Sequence, residues 1–185
     1  IIHNKLLTEK QSGFIKGDST INQLLSITNM IHESFDCDVP LEVRSVYLDI
    51  SKAFDKVWHE GLLFKLRQNG VGGNILNLIS NFLSNRFQRT NINGKTSSWL
   101  PVQAGVPQGS VLGPLLFLIF INDLINDMKS DARIFADDTS LFVVVANPHE
   151  ALNILNRDLR LVEQWAYQWP KSFNPDPSKP PVEII

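Results

Sequence analysis

The strongest constraint on the fold of this chain lies in residues 133–145, where two adjacent carboxylates separate two runs of strand-forming residues. Asp137 and Asp138 stand between these runs. β-Branched and aromatic residues favour strands and Asp tolerates turns, so the stretch predicts a β-hairpin with the acidic pair at its tip. The pair is either a turn and nothing more, or half of a site for a hard cation such as Mg²⁺, which prefers oxygen ligands. The second interpretation requires a third acid elsewhere.

The composition is that of one globular domain with a substantial core, since the 185 residues are 43% hydrophobic and 19% charged. With one cysteine, Cys37, and scattered histidines, the chain has neither a disulfide framework nor a Cys/His zinc spacing, so oxygen atoms must hold any metal. There is no signal-peptide pattern, and the longest apolar run, residues 111–121, is too short to cross a bilayer. We therefore expect a soluble, intracellular protein with no membrane partner.

Charge is distributed unevenly along the chain. The formal net charge of −2 argues against a protein that binds nucleic acid over its whole surface. Residues 61–122 nevertheless contain no Asp or Glu, and their basic side chains are Lys65, Arg67, Arg86, Arg89 and Lys95. This segment predicts either phosphate contacts beside a metal site or a solvated basic face without a partner.

Periodicity and turn residues divide the chain into short elements. A capping box at Thr20 and Gln23 begins a helix over about 20–35. A strand over 43–50 places Asp49 near its end, and Asn93-Gly94 predicts a hairpin turn with positive φ at both positions. The other predicted elements are helices over about 56–69, 73–84 and 114–126, a glycine-rich loop over 102–110, and a final helix that begins at Pro148.

Three segments then fall in a specific order: residues 47–55 with Asp49, the glycine-rich residues 105–114, and residues 135–138 with the acidic pair. Strand ends and hairpin turns share an edge of a sheet, so the three acids can converge there. In this order the segments closely resemble the palm of reverse transcriptases, specifically those of non-LTR retrotransposons of the jockey and CR1 type. A joint match of several motifs is far more specific than a lone Asp-Asp.

The resemblance implies an α/β (α+β) fold, a polymerase palm with a small antiparallel sheet backed by helices, plus part of the fingers. Residues 1–42, with the segment Gln11–Phe14, would be the fingers-proximal part. Residues 43–169 would be the palm with motifs A, B and C, and residues 170–185 a truncated motif D-like segment. The upstream fingers hairpin, the thumb and the endonuclease of the parent polyprotein are expected to be missing, so we predict that this piece alone polymerises poorly or not at all.

The family's catalytic acids transfer to Asp49, Asp137 and Asp138, which the resemblance implies are the ligands of two Mg²⁺ (or Mn²⁺) ions. Lys179 resembles a lysine that protonates the leaving pyrophosphate. The family usually has a compact Phe-Asn-Pro-x-Lys run, whereas this chain inserts Asp176-Pro177-Ser178 before the lysine. An exposed loop lysine therefore stays open as the alternative.

The implied nucleotide site comprises Ile50, Ala53, Phe54, Gln108 and Gly109. Phe54 resembles the family's aromatic sugar gate, whose ring crowds a 2′-hydroxyl, although its apolar neighbours also fit a core position. Gln108 would contact the incoming nucleotide or the template, or else be a loop side chain in water.

Basic and acidic groups near the site complete the prediction. Arg86, Arg89 and Lys95 are candidates for contacts with the nucleic-acid backbone. Asp55 is interpreted as a structural polar group close to the site.

The resemblance implies RNA-directed DNA polymerisation from deoxynucleoside triphosphates on an RNA template annealed to a DNA primer. The alternative is an inactive relic or a host-adopted domain of the same fold that binds nucleic acid or protein. Another Mg²⁺-dependent phosphotransferase is disfavoured, because the sequence contains neither G-x-x-x-x-G-K-[ST] nor G-x-G-x-x-G.

Overall fold

The computed structural model describes residues 6–39 and 41–169 in full and the backbone of residues 183–184. Lys179 and most of the predicted motif D-like segment lie outside the described residues. In chain order the described elements are α1 (Thr20–Phe35), β1 (Glu42–Asp49), a 3₁₀ helix (Ala53–Asp55), α2 (His59–Gln68), α3 (Gly73–Leu83), β2 (Arg86–Gln88), β3 (Asn91–Ile92), β4 (Lys95–Thr96), β5 (Leu100–Val102), α4 (Leu112–Ile121), β6 (Asp131–Phe135), β7 (Asp138–Val145), α5 (Pro148–Gln168) and β8 (Glu183–Ile184).

The centre of the fold is a four-stranded antiparallel sheet in the order β6-β7-β1-β8. Strands β2 and β5 pair with each other, and β3 and β4 form a small hairpin between them. We call residues 86–102 the β-arm. Its turn at Asn93 and Gly94 has φ of 50° and 79°, which confirms the hairpin predicted from this dipeptide.

One face of the central sheet packs against helices. Alternate strand residues share a face, so Leu48 of β1 and Leu141 and Val143 of β7 enter the same buried cluster as residues of α4 and α5. Helix α4 is apolar on all sides, and its residues from Leu116 to Ile121 are at most 7% exposed. The sequence-based expectation of a small antiparallel sheet backed by helices is confirmed.

Two element boundaries differ from the predicted ones because side chains there form hydrogen bonds with the backbone. Helix α1 is capped by Ser19, not Thr20, because the Ser19 hydroxyl accepts a hydrogen bond from the Asn22 N–H at 3.2 Å. Helix α4 ends at Ile121 rather than near 126. The next residue, Asn122, accepts from the Thr8 N–H at 2.8 Å and donates to the Leu6 carbonyl at 3.0 Å.

A buried lysine ties three helices together. Lys65 of α2 is 5% exposed, donates to the Phe120 carbonyl at 2.6 Å and forms an ion pair with Asp123. Its ammonium lies 4.0 Å from the ring centroid of Trp169 and 4.9 Å from that of Trp165, which are cation–π distances. Burial lowers the pKa of Lys65 to about 8, although Asp123 opposes the shift.

We expect Lys65 to make the stability of the chain rise with pH between about 8 and 10.5. Its ordinary pKa is 10.5 and its folded pKa about 8, so in this window the unfolded state binds more protons and rising pH favours folding. Below the folded pKa, the penalty for burying the charge is present in full. The unfolding free energy of the native chain relative to Lys65→Met, from denaturant titrations, should grow by about 3 kcal/mol across the window. A pH-independent difference would contradict the lowered pKa.

Candidate active site

Three acidic residues lie at one end of the central sheet. The antiparallel register of β1 and β7 runs to the pair Leu48 and Thr139. The next residues along the two strands are Asp49, the last of β1, and Asp138, the first of β7, so these acids lie side by side. Phe135 pairs with Asp138, which leaves Ala136 and Asp137 in the hairpin turn. The tip is therefore Ala136 and Asp137 rather than the acidic pair itself.

The neighbouring acids affect the pKa of Asp137. Burial is the main cause of a raised pKa at Asp137, and a hydrogen bond from its own backbone N–H opposes the shift. The negative charges of Asp138 and Asp49 raise the pKa further. Like charges disfavour ionisation of a neighbouring carboxyl group, and a bound cation would remove this repulsion.

The donor set fits an open magnesium site rather than a closed cage. Within residues 6–39 and 41–169, no three or more His, Cys, Asp or Glu side chains are gathered closely enough to hold a metal by themselves. Mg²⁺ usually binds through one or two carboxylates and takes its remaining oxygen ligands from water and substrate phosphates. Adjacent Asp49 and Asp138, with Asp137 beside them, match that mode of binding.

Phe54 is held by aromatic contacts on two sides. Its ring stacks on Phe117 of α4, with centroids 4.2 Å apart and planes at 23°. The ring of Phe14 meets it at 6.2 Å and 78°, and Phe14 itself is 61% exposed. One side of Phe54 therefore belongs to the core, and the other adjoins an exposed aromatic residue that the sequence reasoning did not single out as a site residue.

The glycine-rich loop is attached to the segment that follows β1. The Gly105 N–H donates to the Val57 carbonyl and the Val106 N–H to the Phe54 carbonyl, both at 2.8 Å. These bonds explain why α2 begins at His59 and not at about 56, because the carbonyl oxygens of residues 54 and 57 accept hydrogen bonds from the loop. The exposed Gln108 donates through Nε2 to Asp55 Oδ1 at 2.8 Å.

The three basic residues predicted to contact phosphates have different surroundings. Arg86 donates to the Gly105 carbonyl at 2.5 Å and to the Leu83 carbonyl at 3.1 Å. It therefore links the glycine-rich loop to the end of α3. Arg89 lies 4.5 Å from the ring centroid of the exposed Trp99. Arg89 and Lys95 are both exposed on the β-arm. Sequence spacing could not separate Arg86 from the other two, because its role depends on the fold of the loop.

Two cavities adjoin these groups. Asp49 and Asp138 line a cavity of about 410 Å³ that is also lined by Leu24 and Ile27 of α1. A second cavity, of about 610 Å³, lies against Gln108 and the rest of the glycine-rich loop and is also lined by Lys52, Asp55 and Arg86.

The remaining residues of the predicted nucleotide site are Ile50, Ala53 and Gly109, and none of them exposes an apolar side chain. Ile50 and Ala53 are each 3% exposed and belong to the core, so any nucleotide contact would come from their main chain. Gly109 has a φ of +79°, a conformation that glycine adopts without strain.

Known structures show the same fold. Telomerase from Candida albicans, determined with a fragment of telomeric RNA, matches with a TM-score of 0.65 at 12% identity, covering 95% of this chain and 32% of that one. Apo telomerase from Candida tropicalis matches with a TM-score of 0.62 at 13% identity, covering 95% of this chain and 36% of that one. Identities this low establish the fold alone, which is that of a reverse transcriptase palm.

Sequence comparison identifies the family. Residues 1–179 match the family described as reverse transcriptase (RNA-dependent DNA polymerase), and the chain belongs to that family. It is 32% identical over 191 residues to the RNA-directed DNA polymerase from the mobile element jockey of Drosophila melanogaster, covering 94% of this chain. A probable RNA-directed DNA polymerase from transposon BS of the same species is 31% identical over 179 residues, covering 92% of this chain. The resemblance to jockey-type enzymes is confirmed.

The matched region is a small part of these relatives. The chain spans 20% of the jockey polymerase and 19% of the transposon BS polymerase.

No helix in the described part of the chain is long and apolar enough to cross a membrane.

Proposed function

We propose that this chain is the palm-containing part of an RNA-directed DNA polymerase of a non-LTR retrotransposon. The observation that carries the proposal is the adjacency of Asp49 and Asp138 across β1 and β7, with Asp137 next to them, in a chain of the reverse transcriptase family. Residues 43–169 would be the palm and residues 1–42 the fingers-proximal part. The substrates would be deoxynucleoside triphosphates and a DNA primer on an RNA template, which implies an intracellular enzyme.

Asp49, Asp137 and Asp138 are the proposed ligands of two Mg²⁺ or Mn²⁺ ions. When bound, the cations would lower the pKa of the primer 3′-hydroxyl and balance charge on the triphosphate in the in-line transfer. The carboxylates suit this role because they leave coordination positions open for substrate oxygens. The charge of Asp137 is disfavoured by burial and by its neighbours, and a nearby positive charge would stabilise it.

Phe54 is proposed as the gate that excludes ribonucleotides. Stacking on Phe117 and the edge contact with Phe14 restrict its ring to one orientation, which a steric gate requires. Phe54→Ala should therefore raise kcat/KM for ribonucleotides relative to deoxyribonucleotides. An unchanged ratio would leave Phe54 as a core residue only.

Gln108 and Asp55 are proposed to line the nucleotide side of the second cavity. Gln108 Nε2 donates one of its two N–H groups to Asp55, so its Oε1 would accept, and its second N–H would donate, a hydrogen bond with a nucleotide or template base. The glycine-rich loop would hold this acceptor in place through its bonds to residues 54 and 57.

Primer extension tests the proposed function. This chain and a longer version that carries the fingers and thumb would be assayed side by side with an RNA template, a DNA primer, deoxynucleotides and Mg²⁺. We expect extension by the longer protein and little or none by the chain alone. If the longer protein is folded and binds the primer-template without extending it, an inactive nucleic-acid-binding domain becomes the better account.

The β-arm is proposed to contact the nucleic-acid backbone through Arg89 and Lys95. Both are exposed in a segment without acidic residues, and within residues 6–39 and 41–169 neither donates to a carbonyl oxygen as Arg86 does. Trp99 is exposed, and the ring face that Arg89 does not cover is a flat aromatic surface on which a base can stack.

We expect the double substitution Arg89→Gln and Lys95→Gln to weaken binding of an RNA–DNA primer-template and to make it less salt-dependent. Each lost phosphate contact should lower the slope of log K against log salt by about 0.7 to 0.9. Fluorescence anisotropy at several salt concentrations measures the slope. The control is Arg67→Gln with Arg160→Gln, exposed residues of α2 and α5. Equal slopes for the two double variants would contradict a specific role for the β-arm.

A further inference from the structure

A segment near the start of the chain lies along the outer edge of the acidic hairpin. Gln11 forms a parallel bridge to Ile134 of β6. The Ser12 N–H donates to the Ile134 carbonyl, and the Ile134 N–H donates to the Lys10 carbonyl, both at 2.9 Å. Lys10 also forms an ion pair with Asp131 at the start of β6. Residues 10–13, which we call the edge clamp, thus extend the sheet beyond β6.

The side chain of Gln11 reaches from the edge clamp into the turn that carries the acids. It is 5% exposed. Its Oε1 accepts from the Ala136 N–H at 2.9 Å and from the Gly13 N–H at 2.8 Å. Its Nε2 donates to the Ala136 carbonyl at 3.4 Å. One amide group therefore contacts the peptide bonds on both sides of Ala136.

Ala136 needs this support because its backbone is in an unfavourable region. Its φ is +59°, a conformation that residues with a Cβ rarely adopt unless their surroundings enforce it. Gly13 packs directly on the same turn, and a Cβ at Gly13 would lie 2.3 Å from the Ala136 nitrogen. The edge clamp and the turn are therefore in contact through backbone and side chain alike.

We propose that Gln11 is a positioning residue for the acidic turn, holding both peptides of Ala136 so that Asp137 stays beside Asp49 and Asp138. This inference rests on the proposed function, since it assigns Gln11 a purpose in arranging the cation ligands. Among the residues that the structure describes, the Gln11 side chain bonds to Ala136 and Gly13, so its loss acts first on the turn. Without them, Ala136 is free to leave the left-handed region and to rotate the next residue, Asp137, away from the other two acids.

Two measurements on the 185-residue chain test the proposal. Amide hydrogen exchange by NMR reports the Ala136 N–H, with the Val143 N–H of β7 as internal reference. Water-proton relaxation enhancement reports the affinity for Mn²⁺. The variants are Gln11→Ala; Gln11→Asn, whose amide is one methylene too short; and Gln11→Glu, which keeps an acceptor for both N–H groups. Gln164→Ala, an exposed residue of α5, is the matched control.

For Gln11→Ala and Gln11→Asn we expect exchange at Ala136 to accelerate about tenfold or more, the change for loss of about 1.4 kcal/mol of protection. Exchange at Val143 should not change. The Kd for Mn²⁺ should rise by about the same factor, since the ligands are no longer held together. Gln11→Glu should restore protection at Ala136 only in part, because its carboxylate accepts from both N–H groups but has no N–H to donate to the Ala136 carbonyl. Gln164→Ala should match the native chain in both measurements.

Glycine variants give a second route should the Gln11 variants fail to fold. Gly13→Ala forces the edge clamp away from the turn, whereas Gly72→Ala, at a glycine with φ of −142°, introduces a Cβ with nothing within 4 Å. We expect Gly13→Ala alone to weaken Mn²⁺ binding.

Three results would contradict the proposal, each in a different way. Native exchange at Ala136 in Gln11→Asn would show that the amide does not hold the turn. Faster exchange with an unchanged Mn²⁺ affinity would overturn the positioning role and leave Gln11 as a purely structural residue. Absence of Mn²⁺ binding by the native chain would contradict the proposed cation site itself, and with it any role of Gln11 in positioning the ligands.

Discussion

Replacing Asp138 with Asn should lower the rate of nucleotide addition by about 10³-fold or more while leaving the chain folded. A cation ligand that stabilises the transition state by several kcal/mol accounts for a loss of this size, since each 1.36 kcal/mol is about a factor of ten. Asn keeps the shape of the side chain but removes its charge. Because Asp138 is exposed and close to Asp137 and Asp49, removing its charge relieves repulsion and should not lower the melting temperature.

The measurement is single-turnover primer extension by the longer protein, with a thermal melt of the 185-residue chain alongside. Asp127→Asn is the matched control, because Asp127 is an exposed carboxylate with positive φ, a conformation that Asn also tolerates. Retained polymerisation in Asp138→Asn, or an equal loss in Asp127→Asn, would refute the assignment of the cation ligands.

The second large effect is expected at Gly105 in the glycine-rich loop. Its φ is +84°, and an added Cβ would lie 2.6 Å from the Asp55 carbonyl oxygen and 2.7 Å from the Asp55 Cα. Neither contact can be relieved by moving a flexible side chain, because both atoms are backbone. The loop would have to leave the segment after β1, and the hydrogen bond from Gly105 to Val57 would be lost with it. We expect Gly105→Ala to destabilise the chain by about 3 kcal/mol or more.

Gly109→Ala separates strain from close packing. Gly109 has a similar φ of +79°, but nothing lies within 4 Å of the position of its Cβ. Only the cost of the left-handed conformation applies there, about 1 to 2 kcal/mol. Denaturant unfolding of both variants gives the two free energies. Equal destabilisation by Gly105→Ala and Gly109→Ala would contradict the close packing of Gly105 against the Asp55 backbone.

Elements governed by local chemistry were predictable from the sequence. The run of strand-forming residues around the acidic pair gave the β6–β7 hairpin, and Asn93-Gly94 gave the hairpin of the β-arm, because both depend on the preferences of neighbouring residues. The predicted helices α1, α3 and α5 are present near their expected positions. Boundaries moved where a residue had a tertiary partner, as at Asn122 and at the end of α4.

The candidate site was predictable to the extent that its residues lie at strand ends or turns. The motif order placed Asp49 and the acidic pair at one edge of a sheet, and the register of β1 with β7 brings Asp49 next to Asp138. The structure added a hydrogen-bond partner to Gln108, in Asp55, and engaged Arg86 with the Gly105 carbonyl. Neither contact could be predicted from the spacing of residues in the sequence, since 53 positions separate Gln108 from Asp55.

The sequence by itself determined the family and the approximate positions of the main helices and of the two hairpins, because these follow from residue type, periodicity and motif order. The tertiary structure alone decided which groups hold the site in place. Gln11 and Ala136 are 125 positions apart, and their contact exists only because the edge clamp adds to the sheet beside β6. Such contacts depend on which strands become neighbours, and strand order is a property of the packed core that no local pattern encodes.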